Sequence, residues 1–236
     1  MAISSWHFMS PRDIGLFMRS ARSDARLTRM LAAGAAPSSA FDRLYAEAKE
    51  QEPWAAGSSR YSYQRLKYDS LVGLLPKGRR FRRGLDIGCG TGLLTERLAA
   101  RSDEVLGIDI STVAVERARE RVAGLPGMRF AQGDLLALGP RYDHGFDLVV
   151  VADAIYYLAG AELTDDGLKA LAVRLARLLT PDGILMLANH YFVGVDPGSR
   201  VSRRIHDAFR WSPALRLMDD HRRPFWLASL LAPAAG

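Results

Sequence analysis

The stretch Gly84-Leu85-Asp86-Ile87-Gly88-Cys89-Gly90-Thr91-Gly92 decides the fold of this 236-residue chain. An apolar run precedes three glycines at alternate positions, and an amphipathic run from Leu93 to Arg101 follows them. Glycine permits positive φ and leaves the main chain open to a ligand. The pattern therefore predicts a strand that turns sharply into a helix, with a nucleotide-type ligand bound at the turn.

The charge in this loop selects among nucleotide cofactors. A dinucleotide places its pyrophosphate at the helix N-terminus, where a nearby carboxylate is unfavourable. Asp86 stands two residues before Gly88, so it would repel a diphosphate and attract a cation. S-adenosylmethionine carries an ammonium, a sulfonium and no phosphate, and Asp86 therefore predicts it as the cofactor, with S-adenosylhomocysteine as the product.

A second acid supports this interpretation. The run Val105-Leu106-Gly107-Ile108-Asp109 is typical of the next strand, and Asp109 follows Gly92 by seventeen positions. A carboxylate at the end of that strand can accept hydrogen bonds from both ribose hydroxyls of a nucleoside. The loop and this acid thus predict the same kind of ligand.

From about residue 61 onward the sequence resembles the class I S-adenosylmethionine-dependent methyltransferases. The glycine loop matches the first motif of that family, and Asp109 matches its ribose-binding acid. The segment Gln132-Gly133-Asp134-Leu135 matches the one whose acid reaches the adenine amine. The resemblance implies that the cofactor is bound by Asp86, Gly88, Cys89, Gly90, Gly92, Asp109, Ile110, Asp134, Leu135 and Ala152.

Strand-like and helix-like segments alternate between Arg83 and Asn189, which is typical of a parallel sheet with helices on both faces. The continuous apolar run 148–151 predicts a central strand that is buried on both sides. Residues 215–218 and 225–231 match the antiparallel hairpin of the family. We expect an α/β fold, doubly wound, with a mostly parallel seven-stranded Rossmann-like sheet, that C-terminal edge hairpin and an N-terminal helical extension.

Three parts are predicted along the chain. Residues 1–40 form a basic helical extension with a linker over 33–40, residues 41–78 form pre-core helices that cover the site, and residues 79–236 form the cofactor-binding core. The arginines of the extension share one helix face, which is either solvated or in contact with an anionic substrate or a membrane surface. The sequence leaves open whether the extension also covers the site.

The pre-core segment narrows the resemblance. Glu52-Pro53-Trp54, Tyr61, Tyr63 and Lys67-Tyr68 resemble the entry segment of the nodulation-protein group of methyltransferases, which N-methylate an amino-sugar oligosaccharide intermediate. Tyr156-Tyr157 extends the match. The resemblance implies a small-molecule acceptor such as an amino sugar, and methylation at oxygen of a glycosylated secondary metabolite stays open.

Ligands of open parallel sheets lie at the carboxyl ends of the strands, so the reacting groups should follow the fourth and fifth strands. Transfer from a sulfonium is an in-line displacement, and an amine or hydroxyl acceptor must also lose a proton. His190 is the first candidate for the base, or it orients a loop. Three roles are open to Asp153: it binds a cationic amine substrate, it acts as the base, or it forms a hydrogen bond near the cofactor. The expected catalytic residues are His190, Asp153 and Tyr157. The expected substrate contacts are Trp54, Tyr61, Tyr156 and Tyr191, and core packing is the alternative for the first three.

Composition limits the other classes. The formal net charge is +6, and arginine carries the excess, which we attribute to a GC-rich genome rather than to a nucleic-acid partner. The single cysteine, Cys89, excludes an internal disulfide. No uncharged apolar run approaches the ~18 residues of a membrane span, and no secretory signal is recognisable, so we expect a cytoplasmic protein. We expect no metal site, because no compact ligand spacing recurs and displacement at a sulfonium needs no Lewis acid.

Two alternative functions remain. An RNA methyltransferase is disfavoured because residues 152–156 lack the Asn/Asp-Pro-Pro-aromatic tetrad and no RNA-binding domain is attached. A non-catalytic S-adenosylmethionine-binding subunit is compatible with the motifs, because binding and catalysis are separable. The sequence also leaves a homodimer open.

Overall fold

The computed structural model describes residues 11–48, 52–54, 62–158, 163–192 and 196–234. Three helices precede the sheet in this part of the chain: α1 (Pro11–Ala32), α2 (Pro37–Ala46) and α3 (Ser62–Leu74). The linker predicted over 33–40 is shorter than expected, because Pro37 already lies in the first turn of α2. Proline is tolerated there because the first-turn N–H groups have no intrahelical partner.

Strands and helices then alternate as predicted. The elements are β1 (Phe81–Ile87), α4 (Leu93–Leu98), β2 (Ser102–Asp109), α5 (Thr112–Arg121), β3 (Met128–Gln132), β4 (Phe146–Ala152), α6 (Asp165–Leu178), β5 (Leu179–His190), α7 (Pro197–Arg210), β6 (Leu215–Arg223) and β7 (Trp226–Pro233). β6 is longer than expected, because at the edge of the sheet its polar residues 219–223 remain in contact with solvent while the strand stays paired.

The described strands form one seven-stranded sheet in the order β3-β2-β1-β4-β5-β7-β6. Strands β1 to β5 run parallel, β7 pairs antiparallel with β5, and β6 pairs antiparallel with β7. The predicted doubly wound fold and its C-terminal hairpin are therefore confirmed. The strand order reverses between β1 and β4, which is where open α/β sheets bind their ligands.

β4 forms the centre of the core. Leu148 and Val150 pack on the side of α3 and α4, whereas Val149 and Val151 pack on the side of α6 and α7. All four side chains are fully buried, as the continuous apolar run predicted. Burial of each such side chain contributes about 1.5–3 kcal/mol to the stability of the fold. The strand therefore fixes the position of residues 153–157, which follow its end.

Candidate active site

The glycine loop after β1 exposes its backbone as predicted. Gly88, Gly90 and Gly92 have φ values of +73°, +52° and +80°, in the region that favours glycine. A Cβ on Gly88 would lie 2.7 Å from the Cβ of Ala154, and one on Gly90 would lie 2.9 Å from the hydroxyl of Tyr45. The first two glycines therefore keep side chains out of a crowded site.

A cavity of about 760 Å³ lies at the carboxyl ends of β1, β2, β4 and β5 and extends to α1. Its volume is in the usual range for small-molecule sites. Gly92 does not line it and instead lies at the start of α4, against Ala118 and Phe130. Eight of the ten predicted cofactor-binding residues do line it: Gly88, Cys89, Gly90, Asp109, Ile110, Asp134, Leu135 and Ala152.

Two acids at this end of the cavity are held by backbone amides. Asp109 accepts hydrogen bonds from the N–H groups of Gly90 at 2.8 Å and Ser111 at 2.9 Å. Burial raises the pKa of Asp109, although both amides act in the opposite direction. Asp134 accepts a bond of 2.8 Å from the N–H of Leu136. Both acids line the cavity, so they are available for the ribose and adenine contacts that the sequence predicts.

Asp86 is not among the residues that line the cavity, and this corrects the prediction made for it. Its carboxylate is 1% exposed and accepts a hydrogen bond of 2.6 Å from the hydroxyl of Thr95 in α4. Burial raises the pKa of Asp86 to about 7. Successive side chains of a strand point to opposite faces, and in β1 position 86 points to α4. In this structure the carboxylate of Asp86 therefore joins β1 to α4 and does not face the cavity.

His190 and Asp153 both line the cavity, at the ends of β5 and β4. Lys67 of α3 donates a hydrogen bond to Oδ2 of Asp153, while Oδ1 is buried without a hydrogen-bond partner among the described residues. Burial, followed by the charge of Lys67, lowers the pKa of His190. The imidazole is therefore neutral at neutral pH and can accept a proton. Asp153 instead holds an internal cation, which an amine substrate would have to displace.

Two predicted aromatic residues meet at a carboxylate that the sequence analysis did not predict. The Tyr157 hydroxyl donates to Oδ1 of Asp24 at 2.8 Å, and Nε1 of Trp54 donates to the same oxygen at 2.7 Å. The Tyr156 hydroxyl donates to that of Tyr157 at 3.2 Å. Desolvation raises the pKa of Tyr157 well above its ordinary value, so this phenol stays protonated and is unsuited to act as a base.

The structure does not bring Tyr191 to the cavity, and this corrects its assignment to the substrate. Its side chain is 1% exposed, the guanidinium of Arg222 lies 4.9 Å from the ring centroid, and Arg203 donates to its hydroxyl at 3.2 Å. These contacts hold the ring against α7 and β6, where it fills space between two cations. Tyr61 lies outside the described residues.

α1 covers the end of the cavity where His190 and Asp153 lie, which we call the acceptor end. The sequence analysis had not decided whether this helix covers the site. Phe17 and Asp24 of this helix line the cavity, and the ring centroid of Phe17 lies 6.2 Å from that of His190. Glu52 and Lys67 are two further lining residues without a predicted role. They appeared in the sequence only within the pre-core resemblance, and Asp24 was hidden among the arginines of α1. Long-range contacts alone identify these three residues.

A family model described as a methyltransferase domain matches residues 85–183. A Pseudomonas syringae protein, whose crystal structure is described as that of a methyltransferase, is 31% identical, covers 72% of this chain and is itself covered to 97%, with a TM-score of 0.57. This chain belongs to the class I S-adenosylmethionine-dependent methyltransferases. An uncharacterised methyltransferase of Mycobacterium tuberculosis is 34% identical over 57% of this chain, and the chain spans 59% of that relative's length.

The resemblance to the nodulation group is confirmed as well. Nodulation protein S of Azorhizobium caulinodans is 26% identical over 65% of this chain and 70% of that protein. The N-methyltransferase NodS of Bradyrhizobium japonicum, solved with S-adenosyl-L-homocysteine, is 21% identical, with a TM-score of 0.66 over 84% of this chain and 98% of that one. At such identity the structural likeness concerns the fold.

None of the described helices is long and apolar enough to cross a bilayer.

Proposed function

We propose that this protein transfers the methyl group of S-adenosylmethionine to a nitrogen or oxygen atom of a small molecule. An amino sugar or another glycosylated metabolite is the first acceptor to test, because the relatives include nodulation proteins. One observation carries the proposal: a single cavity joins the glycine loop and Asp109 to His190 and Asp153 beneath α1. A cofactor and an acceptor that share one cavity can be aligned for in-line transfer.

The residues present fit the cofactor. Gly88 and Gly90 present bare backbone to the cavity at positions where a Cβ would clash with Ala154 and Tyr45, and Asp109 and Asp134 offer carboxylates to hydroxyl and amine donors. When bound, S-adenosylmethionine supplies an electrophilic methyl group on a sulfonium. The protein holds the acceptor in line with it and excludes water, and alignment of this kind lowers a barrier by about 7–11 kcal/mol.

His190 is the group proposed to take the acceptor's proton. Asp153, Asp196 and Asp24 stabilise its protonated form electrostatically, and Lys67 opposes them. His190→Gln should lower kcat by about 10²–10⁴-fold and leave the affinity for S-adenosylhomocysteine unchanged. In the wild type kcat/KM should fall as the pH drops through the lowered pKa of His190, and an unchanged profile in the variant would exclude this role. Trp54 and Tyr156 are the proposed acceptor contacts.

Calorimetry tests the cofactor class directly. The wild-type protein should bind S-adenosylmethionine and S-adenosylhomocysteine and should not bind NAD, because the buried acid Glu52 stands beside the glycine loop, where a pyrophosphate would lie. Binding of NAD without binding of S-adenosylhomocysteine would overturn the proposed function. Transfer of a labelled methyl group to a panel of amines and amino sugars, lost in His190→Gln, would separate an enzyme from a non-catalytic subunit.

The charge of the cavity disfavours the RNA alternative. Among the described residues, six carboxylates line it against a single lysine, although the chain as a whole is basic. Carboxylates repel a phosphate backbone, so the site itself does not provide the usual electrostatic term of RNA binding. RNA affinity at low salt should therefore be weak and should not compete with S-adenosylhomocysteine. The six acids are Asp24, Glu52, Asp109, Asp134, Asp153 and Asp196.

A further inference from the structure

Because Asp86 does not line the cavity, the cationic tail of the cofactor lacks the partner that the sequence predicted for it. Glu52 offers a carboxylate in its place. The residue lines the cavity, is 5% exposed and accepts a hydrogen bond of 2.8 Å from the hydroxyl of Thr91, inside the glycine loop. The N–H of Trp54, at 3.5 Å, provides a second and weaker bond. A carboxylate has about four acceptor sites, so Glu52 retains capacity for a ligand.

The other acids of the cavity are distinguished from Glu52 by their position or by a role already predicted for them. Asp153 is paired with Lys67. Asp24 receives hydrogen bonds from Trp54 and Tyr157, and it lies on α1 at the acceptor end. Asp109, at the glycine loop, is the predicted partner of the ribose, so Glu52 is the other cavity acid bonded to this loop among the described residues and has no ligand assigned to it.

The surroundings of Glu52 resist its ionisation while the site is free. Burial is the main cause and raises the pKa of Glu52 to about 7. Asp109 of β2 raises it further, while Arg121 of α5 lowers it and also donates to the Thr91 carbonyl at 2.9 Å. The phenols of Tyr45 and Tyr68, on α2 and α3, complete the titratable groups that face this carboxylate.

We propose that the carboxylate of Glu52 binds the α-ammonium of the cofactor's methionyl tail. This inference rests on the proposed function, because it needs S-adenosylmethionine in the cavity. Asp109 is the predicted partner of the ribose. Glu52 lies near Asp109 and accepts a hydrogen bond from Thr91, a residue of the glycine loop along which the methionyl tail must run. An ammonium supplies a positive charge to this buried carboxylate and further donors for its remaining acceptor sites.

Binding is then linked to proton release. The arriving ammonium favours the ionised form of Glu52, so the bound complex holds fewer protons than the free protein. At pH 7 S-adenosylhomocysteine should release roughly half a proton per molecule bound from this group. Its affinity should fall as the pH is lowered from 7 towards 5. Calorimetry in two buffers with different ionisation enthalpies measures the released proton.

The experiment compares two ligands that differ in the methionyl tail. S-adenosylhomocysteine has the α-ammonium, whereas 5′-methylthioadenosine keeps the adenosine and lacks the amino acid. Glu52→Gln should weaken S-adenosylhomocysteine by at least about 10-fold and reduce the proton release, while 5′-methylthioadenosine binds as it does to the wild type. The glutamine oxygen still accepts the bond from Thr91 and no charge is buried, so the variant should fold. Glu120→Gln, at an exposed position of α5, is the matched control.

The outcomes separate the alternatives. Equal weakening of both ligands would place Glu52 at the ribose and overturn the tail assignment. Unchanged affinities for both in Glu52→Gln would show that the carboxylate only supports Thr91, and would also overturn it. Failure of the wild-type protein to bind S-adenosylhomocysteine would instead reject the proposed function together with the inference.

Discussion

The ammonium of Lys67 donates a hydrogen bond to the carboxylate of Asp153, the residue that follows β4. Asp153 has a φ of +54°, a conformation that aspartate tolerates better than most residues do. The ion pair joins α3, which precedes the sheet, to the carboxyl end of the central strand. The covering helices and the core thus share one charge pair inside the cavity.

Lys67→Met should destabilise the protein by up to about 3–5 kcal/mol, because it leaves the charge of Asp153 uncompensated. The side chain of Asp153 is 20% exposed, so the loss should lie at the lower end of this range. The double variant Lys67→Met/Asp153→Asn should recover most of the stability. Urea unfolding of the four proteins measures the coupling, and strictly additive losses would contradict the pair.

His206 should make stability depend on pH. Burial lowers its pKa to about 4 from an ordinary 6.5, and its Nδ1 lies 2.7 Å from the hydroxyl of Ser229. Asp220 acts against this lowering, and Arg210 adds to it. The folded state binds fewer protons at His206 than the unfolded state does. The stability that the neutral imidazole provides is therefore complete above pH 6.5 and is lost as the pH falls towards 4.

The loss at His206 amounts to as much as about 3 kcal/mol at pH 4. His206→Gln should remove it from the difference between unfolding free energies measured at pH 7 and pH 4. His221→Gln, on the edge strand β6, should retain it and is the matched control. The same pH dependence in both variants would show that another group is responsible.

Asp86→Asn should stabilise the protein at pH 8. Because burial raises the pKa of Asp86 to about 7, the free energy of unfolding falls as the pH rises from about 4 to 7. The asparagine oxygen still accepts the hydrogen bond from Thr95, and we expect a net gain of about 1–3 kcal/mol, since an unpaired amide N–H₂ offsets part of the effect. Because Asp86 lies outside the cavity, affinity for S-adenosylhomocysteine should change less than in Glu52→Gln. A larger loss of affinity would restore Asp86 as a ligand-binding acid.

Asp24→Ala should loosen α1 without unfolding the sheet. Its carboxylate receives hydrogen bonds from Trp54 and Tyr157, and bonds to charged groups contribute about 1.5–3 kcal/mol each. Amide hydrogen exchange in α1 should accelerate about 10-fold or more, while exchange in β4 stays unchanged. Arg22→Ala, at an exposed position of the same helix, should leave both rates as they are. Equal protection of α1 in the two variants would contradict the anchor.

Local patterns predicted the parts of the structure that local physics decides. The glycines of the loop adopt positive φ, and the apolar run of β4 is buried on both faces. Boundaries were less predictable. α2 begins at Pro37, inside the expected linker, and β6 continues through residues 219–223, because an edge strand has one neighbour and polar side chains there remain in water.

The sequence by itself determined the doubly wound fold, the family and its cofactor, and the presence of acids beside the glycine loop. Only the tertiary structure decided which acids reach the cavity. Asp86 is turned away by its position in β1, whereas Glu52 meets Thr91 from 39 residues away and Asp24 meets Tyr157 across 133 residues. The physical reason is that the direction and desolvation of a carboxylate depend on the elements packed around it, and those elements are distant in sequence.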